Sequence, residues 1–325
     1  MGGRLIEGVW YAHGYEPDDK GRFVRQQSAF RDWTVDAHGA RFRPEVGRYH
    51  LYVSYACPWA HRTLIMRQLK GLQGAIPVSV VHPLMLDDGW EFRDYPGSTA
   101  STAEGVHGVR YLRDVYLAAE RMYTGRVTVP LLWDTLEKTI VNNESREILR
   151  MFNHHWQAVA GDTTDYAPAG VIKSVDDAID AIYEPVNNGV YKCGFAGSQE
   201  AYEEAADALY AALDHWDGVL GERRFLCGHQ LTEADICLFT TLVRFDPVYS
   251  VHFKCSQRRI VDYPNLPNYL RDLYQRPAFR ETTNMDHIRQ HYYRSHTFIN
   301  PTGIVARMPI FDLDAPHGRE RLGRA

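Results

Sequence analysis

The stretch 55–62, Tyr-Ala-Cys-Pro-Trp-Ala-His-Arg, contains the side chain of this sequence best suited to chemistry, the thiol of Cys57. The residues before it, 49–54, are rich in aromatic and β-branched types and predict a strand. Pro58 suits the first position of a helix, and apolar residues recur behind it at helical spacing. A cysteine at such a junction faces unpaired N–H groups and the positive end of the helix dipole, which favour a reactive thiolate. The alternative is a buried cysteine that acts as a small apolar side chain.

Ala60 stands where a dithiol oxidoreductase carries its second cysteine, so Cys57 cannot form a disulfide within this motif. A lone thiolate that attacks sulfur must be released by another thiol, and glutathione is the obvious candidate in solution. Zinc binding by Cys57 and His61 is disfavoured because no nearby residues complete a set of four ligands. His287 and His291 have the same spacing, and we expect them on a solvated helix face. We expect no metal site.

The composition is typical of a globular protein long enough for two domains. The chain has 325 residues, of which 45% are apolar and 24% charged, and its net charge of −5 gives no basis for binding nucleic acid. Neither a membrane-spanning apolar run nor a signal-peptide core is evident. The scattered cysteines indicate reduced thiols and a cytoplasmic location. The cysteines expected to be buried small apolar residues are Cys193, Cys227, Cys237 and Cys255.

Four regions are predicted along the chain. Residues 1–47 form a polar arm without sustained periodicity, and residues 297–325 form a tail. Residues 48–160 follow the order strand, helix, strand, then two strands and a helix, with an inserted loop at 83–125. Residues 171–296 form a helical domain.

Within these regions the pattern predicts individual elements. Thr232 is expected to cap a helix, with Asp235 completing a capping box. The predicted strands cover 49–54, 76–81, 127–133 and 139–141. The predicted helices start at Pro58 and Glu144 or cover about 112–119, 206–220, 267–275 and 285–296.

Glu144 and Ser145 begin the predicted helix after the fourth strand. Backbone N–H groups and a hydroxyl at a helix start can hold a carboxylate, and the Glu144 carboxylate can receive an ammonium group. The γ-glutamyl end of glutathione carries both charges on one carbon. A helix capped by asparagine, with glutamate favoured by the dipole, explains the same residues equally well.

The order of elements in residues 48–160, with Cys57-Pro58 at the first helix start and Val129-Pro130 in the third strand, resembles the thioredoxin fold. This resemblance implies that the Val129–Pro130 peptide bond is cis and that the Val129 backbone lies beside Cys57. A helical region with a helix beginning Leu-Thr-Glu-Ala-Asp at 231–235 extends the resemblance to the glutathione transferase superfamily. The expected fold is therefore an α/β thioredoxin-like N-terminal domain followed by an all-α C-terminal domain.

A narrower resemblance, over about residues 30 to 305, is to the glutathionyl-hydroquinone reductases, the Xi-class branch of that superfamily. The motifs that carry it lie at 57–62, 88–90, 187–192, 245–249 and 291–296. The resemblance implies that the Cys57 thiolate attacks the sulfur of a glutathionyl-hydroquinone and that a second glutathione resolves the mixed disulfide. It also implies a homodimer.

The resemblance assigns roles to further residues. Tyr191 is the implied acid or base, and Tyr249 and Tyr292 help to set the site around the cysteine. Without the resemblance, these tyrosines are more simply core residues with a hydrogen-bonded hydroxyl. The implied glutathione contacts are Trp90, Arg126, Val127, Thr128, Val129, Glu144 and Ser145. Trp90 has a second interpretation, since a large aromatic side chain can simply anchor the inserted loop to the domain surface.

Two other functions are compatible with the sequence. One is a general monothiol reductase that acts on protein–glutathione disulfides or dehydroascorbate. The other is a non-catalytic protein that binds aromatic ligands. An accessible Cys57 thiol favours an enzyme, and a buried sulfur favours the binding protein.

Overall fold

A computed structural model of the chain describes residues 2–12, 17–95 and 108–323. Two compact units are present. The described parts of Met1–Tyr15, Gln26–Thr164 and Thr282–Gly303 form the first unit. The described parts of Glu16–Arg25, Asp165–Glu281 and Ile304–Ala325 form the second unit.

The strands of the described chain lie in the first unit and form two sheets. They are β1 (Arg4–Ile6), β2 (Val9–Tyr11), β3 (Tyr49–Val53), β4 (Val78–Val80), β5 (Gly125–Arg126), β6 (Leu131–Asp134) and β7 (Thr139–Asn142). The larger sheet has the order β4-β3-β6-β7, in which β3 is parallel to β4 and the other pairs are antiparallel. The smaller sheet has the antiparallel order β2-β1-β5.

Helices make up most of the second unit, and the first unit contains helices beside its strands. The α-helices are α1 (Pro58–Leu69), α2 (Leu112–Ala119), α3 (Ser145–His154), α4 (Ile172–Ile182), α5 (Gly189–Gly194), α6 (Gln199–Glu222), α7 (Glu233–Arg244), α8 (Ser250–His252), α9 (Leu266–Tyr274), α10 (Pro277–Arg280) and α11 (Met285–Ser295). Two π-helical turns cover Tyr183–Asn187 and Phe245–Tyr249, and 3₁₀ turns cover Ile260–Asp262 and Arg319–Gly323. None of the described helices combines the length and apolarity needed to cross a bilayer.

Strand β3 is the centre of the first unit. All five of its residues are buried, and β4 and β6 flank it on its two sides. This mixed sheet with Cys57 at the start of α1 confirms the predicted thioredoxin-like domain, and the helices α4 to α10 confirm the predicted helical domain.

The arm, in which no periodicity predicted an element, contains two short strands. Strands β1 and β2 form a hairpin whose turn residues Glu7 and Gly8 have φ values of 48° and 79°. A Cβ atom at Gly8 would lie 2.4 Å from the carbonyl oxygen of Arg121, so glycine is required there. Leu5 is fully buried. Three-residue strands are too short to show a period in the sequence.

Helix α11 was predicted as part of the helical region at 171–296. In the structure it belongs to the first unit. The imidazole of His61 hydrogen-bonds the hydroxyl of Thr282 at 3.0 Å, and the ring of His291 stacks on Trp90. A helical period in the sequence predicts a helix but does not say which sheet or helix it packs against.

The carboxylate of Asp235 organises the second unit, as the predicted capping box requires. It accepts hydrogen bonds from the backbone N–H and the hydroxyl of Thr232, both at 2.8 Å. It also accepts from the N–H of Leu226 at 2.9 Å and the hydroxyl of Tyr269 at 2.8 Å. Burial raises the pKa of Asp235, and these four donors oppose that rise. The carboxylate therefore joins the start of α7 to α9.

Candidate functional site

Cys57 lies at the predicted strand-to-helix junction, immediately before α1. Its backbone is extended (φ −74°, ψ 122°), and its carbonyl accepts the first helical hydrogen bond from His61 N–H at 3.0 Å. Pro58 occupies the first helical position, where its missing N–H costs no hydrogen bond. Cys57 is only partly buried, and three of the four other cysteines, Cys227 being the exception, are buried. This placement fits a reactive thiol better than a structural one.

The Cys57 sulfur lies 3.5 Å from the carbonyl oxygen of Val129. The Val129–Pro130 peptide bond is cis, as the resemblance implied. The predicted strand 127–133 begins only at Leu131, so Val129 lies next to the sheet but outside its ladder. The main chain that leads into β6 therefore runs beside the thiol.

Tyr116, which the sequence did not single out, holds this main chain in place. Its hydroxyl donates to the Thr128 carbonyl at 2.8 Å and accepts from the Thr128 N–H at 3.2 Å. The side-chain amide of Asn143 donates to the Tyr116 hydroxyl oxygen at 3.1 Å. Burial raises the pKa of Tyr116, so the phenol keeps the proton that it donates. Its position in the amphipathic helix α2 is the only signal of this role in the sequence.

Glu144 caps α3 itself, which contradicts the alternative of a helix capped by asparagine. Its carboxylate accepts from Arg146 N–H at 3.2 Å and from the hydroxyl of Ser28 at 3.0 Å. Asn142 instead accepts the N–H of Glu144 at 2.7 Å. Ser145, in the first helical position, is buried. A carboxylate has about four lone-pair sites, so Glu144 retains acceptor capacity for an ammonium group.

Trp90 is buried and stacks on the imidazole of His291, with ring centroids 5.0 Å apart and planes 23° apart. A ring nitrogen of His291 lies 2.9 Å from the Pro83 carbonyl oxygen. Trp90 thus anchors its loop to α11. The part of the inserted loop at 96–107 lies outside the described residues.

The remaining predicted glutathione contacts lie at the end of β5 and directly after it. Arg126 ends this strand and is partly buried, and its carbonyl accepts from the hydroxyl of Tyr123 at 3.1 Å. Val127 is buried beside it. Of these residues, Val129 has a described contact with the Cys57 thiol, and Arg126 to Thr128 precede it in the chain.

The prediction that His287 and His291 lie on a solvated face is wrong, since their exposures are 0% and 7%. The rings of Tyr55 and Tyr95 meet the His287 imidazole with centroids 5.5 Å and 5.3 Å away. Burial lowers the pKa of His287 from its ordinary 6.5 to about 4. The imidazole is therefore neutral in the folded protein at neutral pH.

This burial predicts how stability depends on pH. Because the folded pKa is the lower one, the unfolded chain takes up the proton first, and stability falls as pH drops from 6.5 toward 4. We expect His287→Gln to reduce that fall, measured as the free energy of urea unfolding at several pH values. The exposed His38→Gln should keep the wild-type slope. An unchanged slope in His287→Gln would contradict the assignment.

Tyr191 and Tyr249 come together in the second unit. Their ring centroids are 6.1 Å apart, and both rings meet Phe253, at 5.3 Å and 5.4 Å. Tyr191 is 9% exposed, whereas Tyr249 is fully buried. Tyr292, at 1% exposure, lies in α11 of the first unit, with its ring edge-on to His296.

Two prolines shape the positions of Tyr191 and Tyr249. Pro185 and Pro247 lie within the two π-helical turns, in the similar sequences Tyr-Glu-Pro-Val-Asn and Phe-Asp-Pro-Val-Tyr. A proline lacks the N–H of an α-helical hydrogen bond and clashes with the preceding turn, and a wider turn relieves both problems. Tyr249 ends one turn and Tyr191 follows the other. Such turns are frequent at functional sites.

The described residues contain no group of three or more His, Cys, Asp or Glu side chains that could hold a metal ion. The arrangement offers a single partly exposed thiol at a helix start in one unit and a pair of phenols in the other. The thiol can form a mixed disulfide, and a phenol can donate or accept a proton.

Comparison with known families and proteins gives consistent matches. Residues 56–155 match the N-terminal domain of glutathione S-transferases, and residues 199–272 match their C-terminal domain. The chain is 54% identical to the glutathionyl-hydroquinone reductase YqjG of Escherichia coli, over 98% of both chains. It is 49% identical to the glutathionyl-hydroquinone reductase PcpF of Sphingobium chlorophenolicum, over 93% of this chain and 95% of that one.

Solved structures give the same result. A Xi-class glutathione transferase from Natrialba magadii superposes with a TM-score of 0.92 at 53% identity, covering 98% of this chain and 97% of that chain. The glutathione-bound structure of YqjG from Escherichia coli gives a TM-score of 0.88 at 51% identity, covering 97% and 99%.

Proposed function

The chain belongs to the glutathionyl-hydroquinone reductases of the Xi class of glutathione transferases, and we propose that Cys57 carries this reaction through a mixed disulfide with glutathione. The enzyme is a glutathione-dependent oxidoreductase, with glutathione as co-substrate. The observation that supports the role of Cys57 most is the position of this partly exposed residue at the start of α1, with its sulfur 3.5 Å from the Val129 carbonyl oxygen.

The proposed reaction has two steps. The Cys57 thiolate attacks the sulfur of the glutathionyl-hydroquinone, so an S–S bond forms while the aryl C–S bond breaks. The bonding electron pair stays on the ring carbon, which takes up a proton, and hydroquinone leaves. A second glutathione thiolate then attacks the mixed disulfide, which releases glutathione disulfide and restores the Cys57 thiolate.

Because position 60 is alanine and not cysteine, glutathione must supply the second thiol. The motif has no resolving cysteine, so the mixed disulfide persists until an external thiol attacks it. Substrate and resolving agent both carry a glutathionyl group, so one binding site for that group serves both steps.

We assign this glutathionyl site to the first unit. The Glu144 carboxylate receives the γ-glutamyl ammonium group, and the hydroxyl and N–H of Ser145 at the start of α3 hold its carboxylate. The guanidinium of Arg126 is a cation for the other carboxylate of glutathione. The further contacts in this proposal are Trp90, Val127, Thr128 and Val129.

The phenols handle the proton in this proposal. Tyr191 donates it to the ring carbon, because it is the most exposed of the three candidate tyrosines at 9%. Tyr249 and Tyr292, both buried, shape the surroundings and set the positions of neighbouring rings. General disulfide exchange at Cys57 needs none of these phenols, which separates the proposal from a general thioltransferase.

Substrate comparison tests the function directly. Purified protein should release hydroquinone and glutathione disulfide in equal amounts from a glutathionyl-hydroquinone and glutathione. Dehydroascorbate and a protein–glutathione mixed disulfide, assayed in parallel, should give lower kcat/KM. A higher kcat/KM for either of these would support the general thioltransferase, and binding of the aromatic ring without turnover would support a binding protein.

Glu144→Gln tests the glutathione site. Loss of the charge-assisted hydrogen bond to the ammonium group should raise the KM for glutathione about tenfold or more. Glu147→Gln is the matched control, because Glu147 lies in the same first turn but its carboxylate accepts from Arg31 and Asn142, at 2.7 Å and 2.8 Å. Equal KM values for the two variants would remove Glu144 from the site.

We also propose a homodimer in the cytoplasm. The resemblance supports the dimer, and the five free cysteines, scattered along the chain, support a reducing compartment. Light scattering after size-exclusion chromatography should give twice the mass of the chain, which is 37.3 kDa. A mass of one chain would rule out the dimer at that concentration.

A further inference from the structure

The segment 17–25 of the N-terminal arm belongs to the second unit and packs against the residues that lead into α6. The N–H of Gly197 donates to the Gly21 carbonyl at 2.8 Å, and the hydroxyl of Ser198 donates to the Lys20 carbonyl at 2.9 Å. A Cβ atom at Gly21 would lie 2.9 Å from the Ser198 nitrogen, and Gly21 has a φ of +78°. The segment is therefore fixed next to α6 with no room for a side chain at this point.

Two side chains of this segment contact the proposed acid. Phe23 is buried, and its ring lies 6.3 Å from that of Tyr191 and 26° from parallel. The guanidinium carbon of Arg25 lies 5.1 Å from the centroid of the Tyr191 ring and 5.3 Å from that of Phe23. Both distances are within the range of a cation–π interaction.

A polar network holds the Arg25 guanidinium in this position. Its Nε donates to the side-chain oxygen of Asn188 at 2.6 Å. The amide nitrogen of Asn188 donates in turn to Glu184 at 3.3 Å, and Glu184 pairs with the Lys192 ammonium at 2.6 Å. The network follows the N-terminal end of α5, the helix that carries Tyr191.

Arg25 places a positive charge directly over the Tyr191 ring, whereas the neighbouring charges are paired with each other. Glu184 and Lys192 pair with each other, as do Arg22 and Glu204, so their fields largely cancel at a distance. Two titratable side chains near the ring are the phenol of Tyr249 and the imidazole of His252. The His252 imidazole contacts the Phe253 ring, with centroids 5.3 Å apart. The charged and titratable side chains on α5 and the elements around it include Tyr183, Glu184, Lys192, Cys193, Tyr202, Tyr210, Arg22, Glu204, Tyr249 and His252.

We propose that Arg25 is a positioning residue for the reaction, which holds the Tyr191 ring and favours release of its proton to the hydroquinone carbon. The proposal rests on the role of Tyr191 in the proposed function. A free phenol titrates near pH 10, and an acid works best when it titrates nearer the working pH. A guanidinium 5.1 Å from the ring centroid stabilises the phenolate relative to the phenol, which favours transfer of the proton.

Arg25→Gln tests the proposal on the first step alone. Single-turnover release of hydroquinone would be followed anaerobically without free glutathione, from pH 6 to about 11, since the phenol must be protonated to act. The rate at pH 7 should fall about tenfold, and the alkaline decline should move up by about one pH unit. Exchange of Cys57 with a mixed disulfide should not change.

Two control variants accompany it. Arg22 lies three residues from Arg25 in the same segment and pairs with Glu204. The Arg22→Gln variant should therefore behave as wild type in both assays. Arg25→Lys keeps the charge but loses the planar guanidinium, so it should recover part of the rate and of the pH shift.

The outcomes separate the inference from the function on which it rests. If Tyr191→Phe turns over like wild type, the role of Tyr191 itself fails. If Tyr191→Phe is slow but Arg25→Gln keeps the wild-type rate and profile, only the inference is overturned. Equal losses in both reactions with an unmoved pH profile would also overturn it, since that pattern means a structural role. In the Tyr191→Phe background, Arg25→Gln should cause no further loss.

Discussion

Cys57→Ser is expected to lower kcat/KM for a glutathionyl-hydroquinone by about a thousand-fold or more, because a hydroxyl cannot form the mixed disulfide. The fold should be unaffected. Cys57 occupies the N-cap of α1 without a side-chain hydrogen bond to the cap, and serine is a preferred residue there. The free energy of urea unfolding should therefore stay equal or rise slightly, which separates lost chemistry from lost structure.

Mass spectrometry of the intact protein checks this prediction alongside kinetics. Wild type mixed with substrate but no free glutathione should carry one glutathione adduct, and Cys57→Ser should carry none. Cys227→Ser is the control, because Cys227 is also half-buried but lies in the second unit, 3.5 Å from the Ser174 carbonyl. Burial raises its pKa to about 11, so it should remain unmodified. Turnover by Cys57→Ser would disprove the mechanism.

The features of the fold that the sequence predicted depend on local signals. Pro58 marks the start of α1, and Thr232 with Asp235 marks the start of α7, since caps and first-turn residues act within a few positions. Helix α2 has the predicted bounds Leu112–Ala119 because its apolar positions recur at helical spacing. The cis bond before Pro130 followed from the resemblance and not from the residues alone.

The features that were missed depend on contacts between distant parts of the chain. Tyr116 lies twelve residues from Thr128, and its hydrogen bonds with Thr128 and Asn143 exist only once α2 packs against these segments. His287 reads as polar in the sequence, but α11 buries it among tyrosine rings. Segment 17–25 carries no periodicity, although it supplies Phe23 and Arg25 to the Tyr191 ring.

The two π-helical turns depend on both local signals and distant contacts. Their shared pattern of an aromatic residue, an acid, proline and valine was visible, but a proline in a helical stretch predicts only an interruption. In the folded chain Asn187 donates to the Cys237 carbonyl and Thr241 hydroxyl, at 3.1 Å and 2.7 Å. Asp246 accepts from the N–H of Ile260 at 2.6 Å. These tertiary hydrogen bonds stabilise wider turns instead of breaks.

Tyr191→Phe should lower the rate of hydroquinone release by about a hundred-fold, the lower range for loss of a general acid. The ring and its contacts with Phe23 and Phe253 are retained, so stability should change little. Tyr202→Phe is the matched control, since it removes a hydroxyl that donates to the Lys254 carbonyl at 2.7 Å in the same unit. It should leave the rate unchanged.

Comparing hydroquinone release with disulfide exchange shows whether the loss of rate in Tyr191→Phe comes from a missing acid. Breaking an aryl C–S bond leaves an electron pair on carbon, which must be protonated, whereas disulfide exchange expels a thiolate that is stable without a proton. Tyr191→Phe should therefore retain exchange between Cys57 and a protein–glutathione disulfide while losing hydroquinone release and its alkaline decline. Equal losses in both reactions would assign Tyr191 to binding or structure. An unchanged rate of hydroquinone release would move the acid to another group, with Tyr249 and Tyr292 tested next in the same pair of assays.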